Sequence, residues 1–192
     1  MTMTSLNIGC GRNPVAGMVN IDAVDLPGVD LVFNMDDCSD TCRLPFDDSS
    51  VDYILMSHVV EHLRTPLPAM QELWRVAKPK STALILCPHG SSDDAWEDPT
   101  HIRAMFSGSF GYFSQPYYWR ADYGYRGDWQ IEDITYVMPH KYKLNTTDQN
   151  VWYVYHSRNT VLEMRITLAA VKPARAPLRE LQQYPGPKFR FE

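Results

Sequence analysis

The first half of the chain alternates short apolar runs with residues that break them. Leu6 to Ile8 is followed at once by glycine, Met18 to Ile21 ends in Asp22, and Val29 to Phe33 ends in Asn34 and Asp36. Val51 to Met56 gives way to Ser57 and His58, and Ala83 to Cys87 gives way to Pro88. Runs this short, rich in branched side chains and bounded by breakers, predict five strands. Between the last two lies Pro66 to Ala77, where Leu67, Met70, Leu73 and Trp74 share one helical face and Lys78-Pro79 stops the helix. Strands that are apolar throughout and alternate with helical stretches imply a parallel sheet covered on both faces.

The second half reads differently. Ser91 to Tyr125 is polar and aromatic, with a short helix expected around Ser107 to Phe113. Two more apolar segments follow, near Ile131 to Met138 and Thr160 to Val171, while Val151 to Tyr155 suits either a strand or a helix. Pro173 to Glu192 carries four prolines and few apolar residues, so it is expected to lie on the surface or to be disordered. The expected organisation is one domain over residues 1–172, with a substrate lid over about 89–128, and a proline-rich tail over 173–192.

Length and composition narrow the function classes. The chain has 192 residues, enough for one domain with a core that needs no metal or disulfide staple. No stretch reaches the roughly 20 apolar residues of a membrane span. Met1 to Ser5 holds neither a basic region nor an apolar run, so no signal peptide is expected. Cys10, Cys38, Cys42 and Cys87 are scattered, which suits a reducing cytoplasm better than a disulfide framework. A net charge of -5 argues against a broad nucleic-acid surface.

The first chemical signal is Gly9-Cys10-Gly11 at the end of the first strand. Gly-x-Gly there lets the backbone turn sharply and approach a ligand. The second strand then ends in Asp22, well placed to accept hydrogen bonds from a ribose diol. A dinucleotide fold would place its acid roughly 20 residues on and would carry a third glycine. Here Asp22 follows Gly11 much sooner and the third glycine is missing, so a nicotinamide cofactor is disfavoured. No Gly-Lys-Ser/Thr follows, which removes a nucleoside-triphosphate loop.

Four segments stand in order: Leu6-Asn7-Ile8-Gly9-Cys10-Gly11, Val19-Asn20-Ile21-Asp22, Leu44-Pro45-Phe46-Asp47-Asp48-Ser49-Ser50-Val51-Asp52 and Ser57-His58-Val59-Val60-Glu61-His62-Leu63. Together they resemble the small class I methyltransferases of the type 11 kind, through about Pro88. The resemblance implies a Rossmann-like α/β fold with seven strands in the order 3-2-1-4-5-7-6, strand seven antiparallel. It implies S-adenosyl-L-methionine as cofactor, lying across the carboxyl ends of strands one to four. Gly9, Cys10 and Gly11 would line its methionine part and Asp22 would hold its ribose. The acid facing adenine is open among Asn34, Asp36 and Asp37, with Asp36 favoured. Ser57 and His58 would lie near the sulfonium. One departure stands out: between Gly11 and Val19 there is no room for the usual first helix, and Asn13-Pro14 and Gly17 oppose one.

His58-Val59-Val60-Glu61-His62 also matches the H-x-x-E-H pattern of inverted zinc peptidases. On a helix both histidines could face one metal, with Glu132 or Glu163 as the third ligand. The expectation is nevertheless a metal-free turn after strand four, with His62 capping or packing.

On the acceptor side, His89, Asp98 and His101 follow strand five. A histidine there could take the proton of an attacking hydroxyl or amine, and Asp98 could hold the His101 imidazole in one tautomer. The bland alternative is that Asp98 and Thr100 only fix a turn. Tyr112, Phe113, Tyr117, Tyr118, Trp119, Tyr123 and Tyr125 could stack on a sugar or planar acceptor, on single-stranded nucleic acid, or only cover the sheet. The expected acceptor is a small molecule. A silent cofactor-binding partner subunit and a zinc hydrolase are the competing classes.

Overall fold

The computed structural model describes residues 3–192. Eight strands form one sheet: β1 (Ser5–Ile8), β2 (Val19–Asp22), β3 (Leu31–Val32), β4 (Val51–Ser57), β5 (Ala77–Cys87), β6 (Trp129–Met138), β7 (Glu163–Ala170) and β8 (Lys188–Phe191). Their order is β3-β2-β1-β4-β5-β7-β6-β8. The first five are parallel, and β7 runs antiparallel to both β5 and β6. The first seven positions are the expected order. The sheet centre is apolar as its strands predicted: Leu6, Ile8, Ile21, Ile54, Met56 and Ile85 are all buried.

The tail lies on the surface, one of the two alternatives expected of it. What was not expected is its pairing: β8 adds an eighth strand parallel to β6, with Phe191 opposite Met138. Its anchor is Arg175, which makes a two-pronged ion pair with Asp128 at 2.8 Å and also bonds Gln130. Asp128 is fully buried, and its carboxylate also accepts the Gln115 N–H. A buried carboxylate needs such partners, so the tail satisfies a polar group that the domain alone leaves short.

Helices are fewer than a two-faced cover implies. Helix α1 (Pro66–Val76) follows β4; its Pro66 sits in the first turn, where a missing N–H costs nothing. It buries Met70 and Leu73, and it passes straight into β5 at Ala77. Helix α2 (Asp94–Glu97) is one turn, and α3 (Thr147–His156) covers the ambiguous apolar run. Much of the remaining cover comes from 3-10 segments at Ser107–Phe113 and Gln115–Trp119. These fold Phe110, Phe113 and Tyr118, with Tyr125, into the core, leaving Tyr112 and Tyr123 exposed.

No helix joins β1 to β2. Side-chain amides organise that loop instead. Asn20 accepts the Val15 N–H at 2.7 Å and donates to the carbonyls of Val15 and Met18. Asn7 donates to Asn20 and to the Asn13 carbonyl. Both asparagines are buried, so the loop's backbone groups find partners without helical bonds.

Candidate functional site

The loops after β1, β2, β3 and β4 meet at the carboxyl end of the parallel strands, where open α/β sheets bind ligands. A cleft of about 290 Å³ lies there, bounded by Gly9, Asp22, Phe33, Asn34, Asp36 and His58. Its floor depends on glycine. Gly9 has φ +64°, and a Cβ there would lie 2.3 Å from Val59 Cγ2. Gly11 has φ +51°, yet a Cβ on it would meet nothing within 4 Å. The turn is therefore tight against the β4 loop at Gly9 and open at Gly11.

Asp22 fixes this turn, because its carboxylate accepts the Gly11 N–H at 2.8 Å and the Val24 N–H at 3.0 Å. Each oxygen keeps acceptor capacity for a diol. Asp36 borders the same cleft and also holds the entrance of α1, accepting the N–H groups of Arg64 at 2.7 Å and Thr65 at 2.9 Å. Asn34 accepts the Asp36 N–H. Asn34 and Asp36 both border this cleft; Asp37 borders an adjoining opening with His62 and Thr100. Cys10 is buried, its N–H bonded to the Ile21 carbonyl, and half-buried Ser57 ends β4.

His58 sits at φ +55° between two carboxylates, with Nε2 3.2 Å from Glu163 and Nδ1 3.5 Å from Glu61. Those neighbours, Glu163 foremost, push its pKa up to about 10, and the His58 imidazole in turn holds Glu163 below the usual carboxylate range. Residues 60–62 form a turn and not a helix, so the helical metal pair of His58 and His62 does not form. His62 instead bonds Thr100 through Nδ1, 3.2 Å from the carbonyl oxygen. Its ring packs edge-on against His101, centroids 4.6 Å apart.

The segment carrying His101 docks on that turn, with the N–H groups of Ile102 and Arg103 both donating to the Glu61 carbonyl. Asp98 spends its carboxylate on the N–H and hydroxyl of Thr100, which lower its pKa. It stands 3.9 Å from His101 Nε2, too long for a hydrogen bond. The turn is fixed as the bland alternative held, but the His101 imidazole is buried, with 8% of its side chain exposed. His89 lies elsewhere. Its Nδ1 bonds Ser91 at 2.8 Å, and its ring packs on Phe106 and Tyr136 beside a separate groove of about 1010 Å³. Glu61, which the sequence offered only as the acid of the H-x-x-E-H pattern, is 2% exposed, and neither carboxylate oxygen has a hydrogen-bond partner.

Residues 6–85 match the family model described as a methyltransferase domain, that of the type 11 methyltransferases. Over this stretch the chain is similar to the class I methyltransferases of the type 11 family. S-adenosylmethionine is its cofactor. Among curated proteins, nothing matches the chain.

The methyltransferase fold extends past the matched stretch. A SAM-dependent methyltransferase from Archaeoglobus fulgidus has a similar structure, with a TM-score of 0.61 at 15% identity over 87% of this chain and 86% of that one. One from Aquifex aeolicus gives 0.51 at 17% identity over 88% and 83%. The [4+2]-cyclase SpnF gives 0.52 at 13% identity over 88% and 74%.

The residues of the methyltransferase cleft fit the cofactor. Asp22 would offer a carboxylate to the ribose, Phe33, Met35 and Leu63 would offer apolar walls to the adenine, and Asn34 and Asp36 would offer polar groups to its edge. Gly9 and Gly11 bring bare backbone to the methionine end. Among the described residues no helix is long and apolar enough to cross a membrane.

Proposed function

We propose that this protein transfers a methyl group from S-adenosylmethionine to an oxygen or nitrogen of a small acceptor. The observation that carries this is the Gly9–Gly11 turn held on Asp22, opening on a cleft that also presents Asp36. The bound cofactor supplies an electrophilic methyl group on a sulfonium. The protein's part is to hold the acceptor in line with it, to exclude water, and to receive the acceptor's proton. His62 borders the cofactor cleft and touches His101, so the proton is received at the cluster of Glu61, His62 and His101. His58, Asp98 and Ser57 act as positioning residues.

The larger groove that begins just after β5 would hold the part of the acceptor away from the atom that reacts at the cofactor cleft. Trp96, Phe106 and Tyr155 present exposed rings there, with Ser91 and Ser157 between them. Flat apolar faces beside hydroxyls suit a sugar or another hydroxylated metabolite. The four cysteines are free, which supports a reducing, cytoplasmic setting.

The fold alone does not choose the reaction, since a cyclase shares it. The test is labelled S-adenosylmethionine with a panel of sugars and hydroxylated metabolites. Label should pass to at least one acceptor. Tight cofactor binding with transfer to none would favour the silent partner subunit, the reading supported by the missing β1–β2 helix. His101→Ala should leave cofactor affinity within about threefold while turnover falls on the order of 100-fold. Unchanged turnover would remove the cluster from the reaction.

A further inference from the structure

We propose that Glu61, His62 and His101 form a binding site for one divalent first-row transition-metal ion. One donor atom from each lies within 4.8 Å of the other two. That spacing needs only a small contraction to reach bonds of roughly 2.0–2.2 Å around a single ion. Sequence spacing had pointed to His58 and His62, and the fold replaces His58 with His101, brought in from after β5.

Two further observations point at an ion. The carboxylate of Glu61 is buried with both oxygens unpartnered, and Nδ1 of His101 is buried and unpartnered too. A buried anion with no hydrogen bond is costly, and a bound cation removes that cost. The far nitrogen of His62 is already held from outside. Nδ1 of His62 faces the Thr100 carbonyl at 3.2 Å, leaving Nε2 for the ion. Nδ1 of His101 is the buried nitrogen without a partner, while its Nε2 stands 3.9 Å from Asp98, an ion-pair distance and not a hydrogen bond. Metal-bound histidines are held as His62 is, by a carbonyl or carboxylate on the far nitrogen.

The donor set identifies the ion by class. Two imidazoles and one carboxylate suit zinc, iron(II), cobalt or manganese and disfavour calcium and magnesium. Three protein ligands leave a position open, the mark of a site that also takes water or substrate. Because His62 also borders the cofactor cleft, that open position would take an acceptor oxygen, and a bound ion would then ease loss of its proton in place of a free imidazole of the cluster; this last step rests on the function proposed above.

The competing account of Glu61 is its contact with His58 at 3.5 Å. The experiment separates them. Protein stripped with chelator is titrated calorimetrically with zinc and manganese, and with cobalt while visible absorption is recorded. One ion per chain should bind, with a d–d spectrum from the cobalt form. Glu61→Gln and His101→Asn should each weaken binding by more than the roughly 10–100-fold that an outer-shell change costs. His58→Ala should bind as tightly or more so, because the contact that competes for Glu61 is gone. Circular dichroism of each variant separates lost binding from lost fold, and the cobalt spectrum of Asp98→Asn adds a second probe, expected to shift while binding persists. No stoichiometric ion, or binding that survives both Glu61→Gln and His101→Asn, would overturn the site. Cofactor binding is measured on the stripped protein, so its presence without metal binding sinks this site alone. Metal binding without cofactor binding sinks the proposed function alone.

Discussion

Replacing Gly9 with alanine isolates two costs that the β1 turn imposes. The first is conformational: Gly9 is at φ +64°, a region that costs a residue with a Cβ about 1 kcal/mol. The second is steric: the new Cβ would lie 2.3 Å from Val59 Cγ2. Val59 is half-buried against the core and cannot retreat freely, so overpacking adds about 1–3 kcal/mol. A smaller unfolded-state entropy returns about 0.5 kcal/mol. The net loss for Gly9→Ala should be about 2–3 kcal/mol. Gly11 is an internal control, since it has φ +51° but open space around a Cβ; Gly11→Ala should cost about 0.5–1 kcal/mol by the conformational cost alone. Urea denaturation gives both values. Adding Val59→Ala to Gly9→Ala should recover the steric part, a coupling of about 1 kcal/mol or more in a double-mutant cycle. If the two glycine variants are equally stable, or the coupling is near zero, the close approach of the β1 and β4 loops is not what requires Gly9.

Three other outcomes follow from the structure. Asp22→Ala should weaken S-adenosylmethionine binding by about 2 kcal/mol, roughly 30-fold, through lost charge-assisted bonds; calorimetry showing unchanged affinity would take Asp22 out of the site. Arg175→Met leaves the fully buried Asp128 without its ion pair, so thermal unfolding should report about 3 kcal/mol of destabilisation, and a loss below 1 kcal/mol would mean the tail anchor is dispensable. Burial holds the His89 imidazole down at about 4, below its ordinary 6.5. The unfolded chain therefore binds more protons between those values, so the stability from neutral His89 is complete above pH 6.5 and is lost as pH falls toward 4. The loss should reach about 3 kcal/mol, and His89→Gln should flatten that part of the stability profile; an unchanged slope would contradict the assignment.

The chain's local signals located much of the domain. Runs such as Leu6 to Ile8 and Val51 to Met56 became β1 and β4 because apolar periodicity is written residue by residue. Lys78-Pro79 ended α1 within a residue or two of where sequence placed the stop. The glycine turn and Asp22 were legible because they flank consecutive strands, and Asn13-Pro14 and Gly17 foretold the missing first helix. The Val151 to Tyr155 run reads either way by its own periodicity, and the signal that decides it lies upstream, where Thr146 and Gln149 form a capping box that commits the segment to α3.

Tertiary structure decided the features that join distant segments. Pairing of β8 with β6 depends on a partner some 50 residues away and on Arg175 finding a buried Asp128, neither of which has a local period. The rings around Phe110 to Tyr125 divide between core and surface according to how two 3-10 segments fold them back, not by their density in the chain. Asp98 is three residues from His101 and looked like its partner, yet Thr100 is nearer and takes its carboxylate. Glu61 and His62 meet His101 only because the loop after β5 docks on the turn after β4. Sequence spacing can propose ligands that share a helix; only the sheet's crossover can bring together side chains from two of its loops.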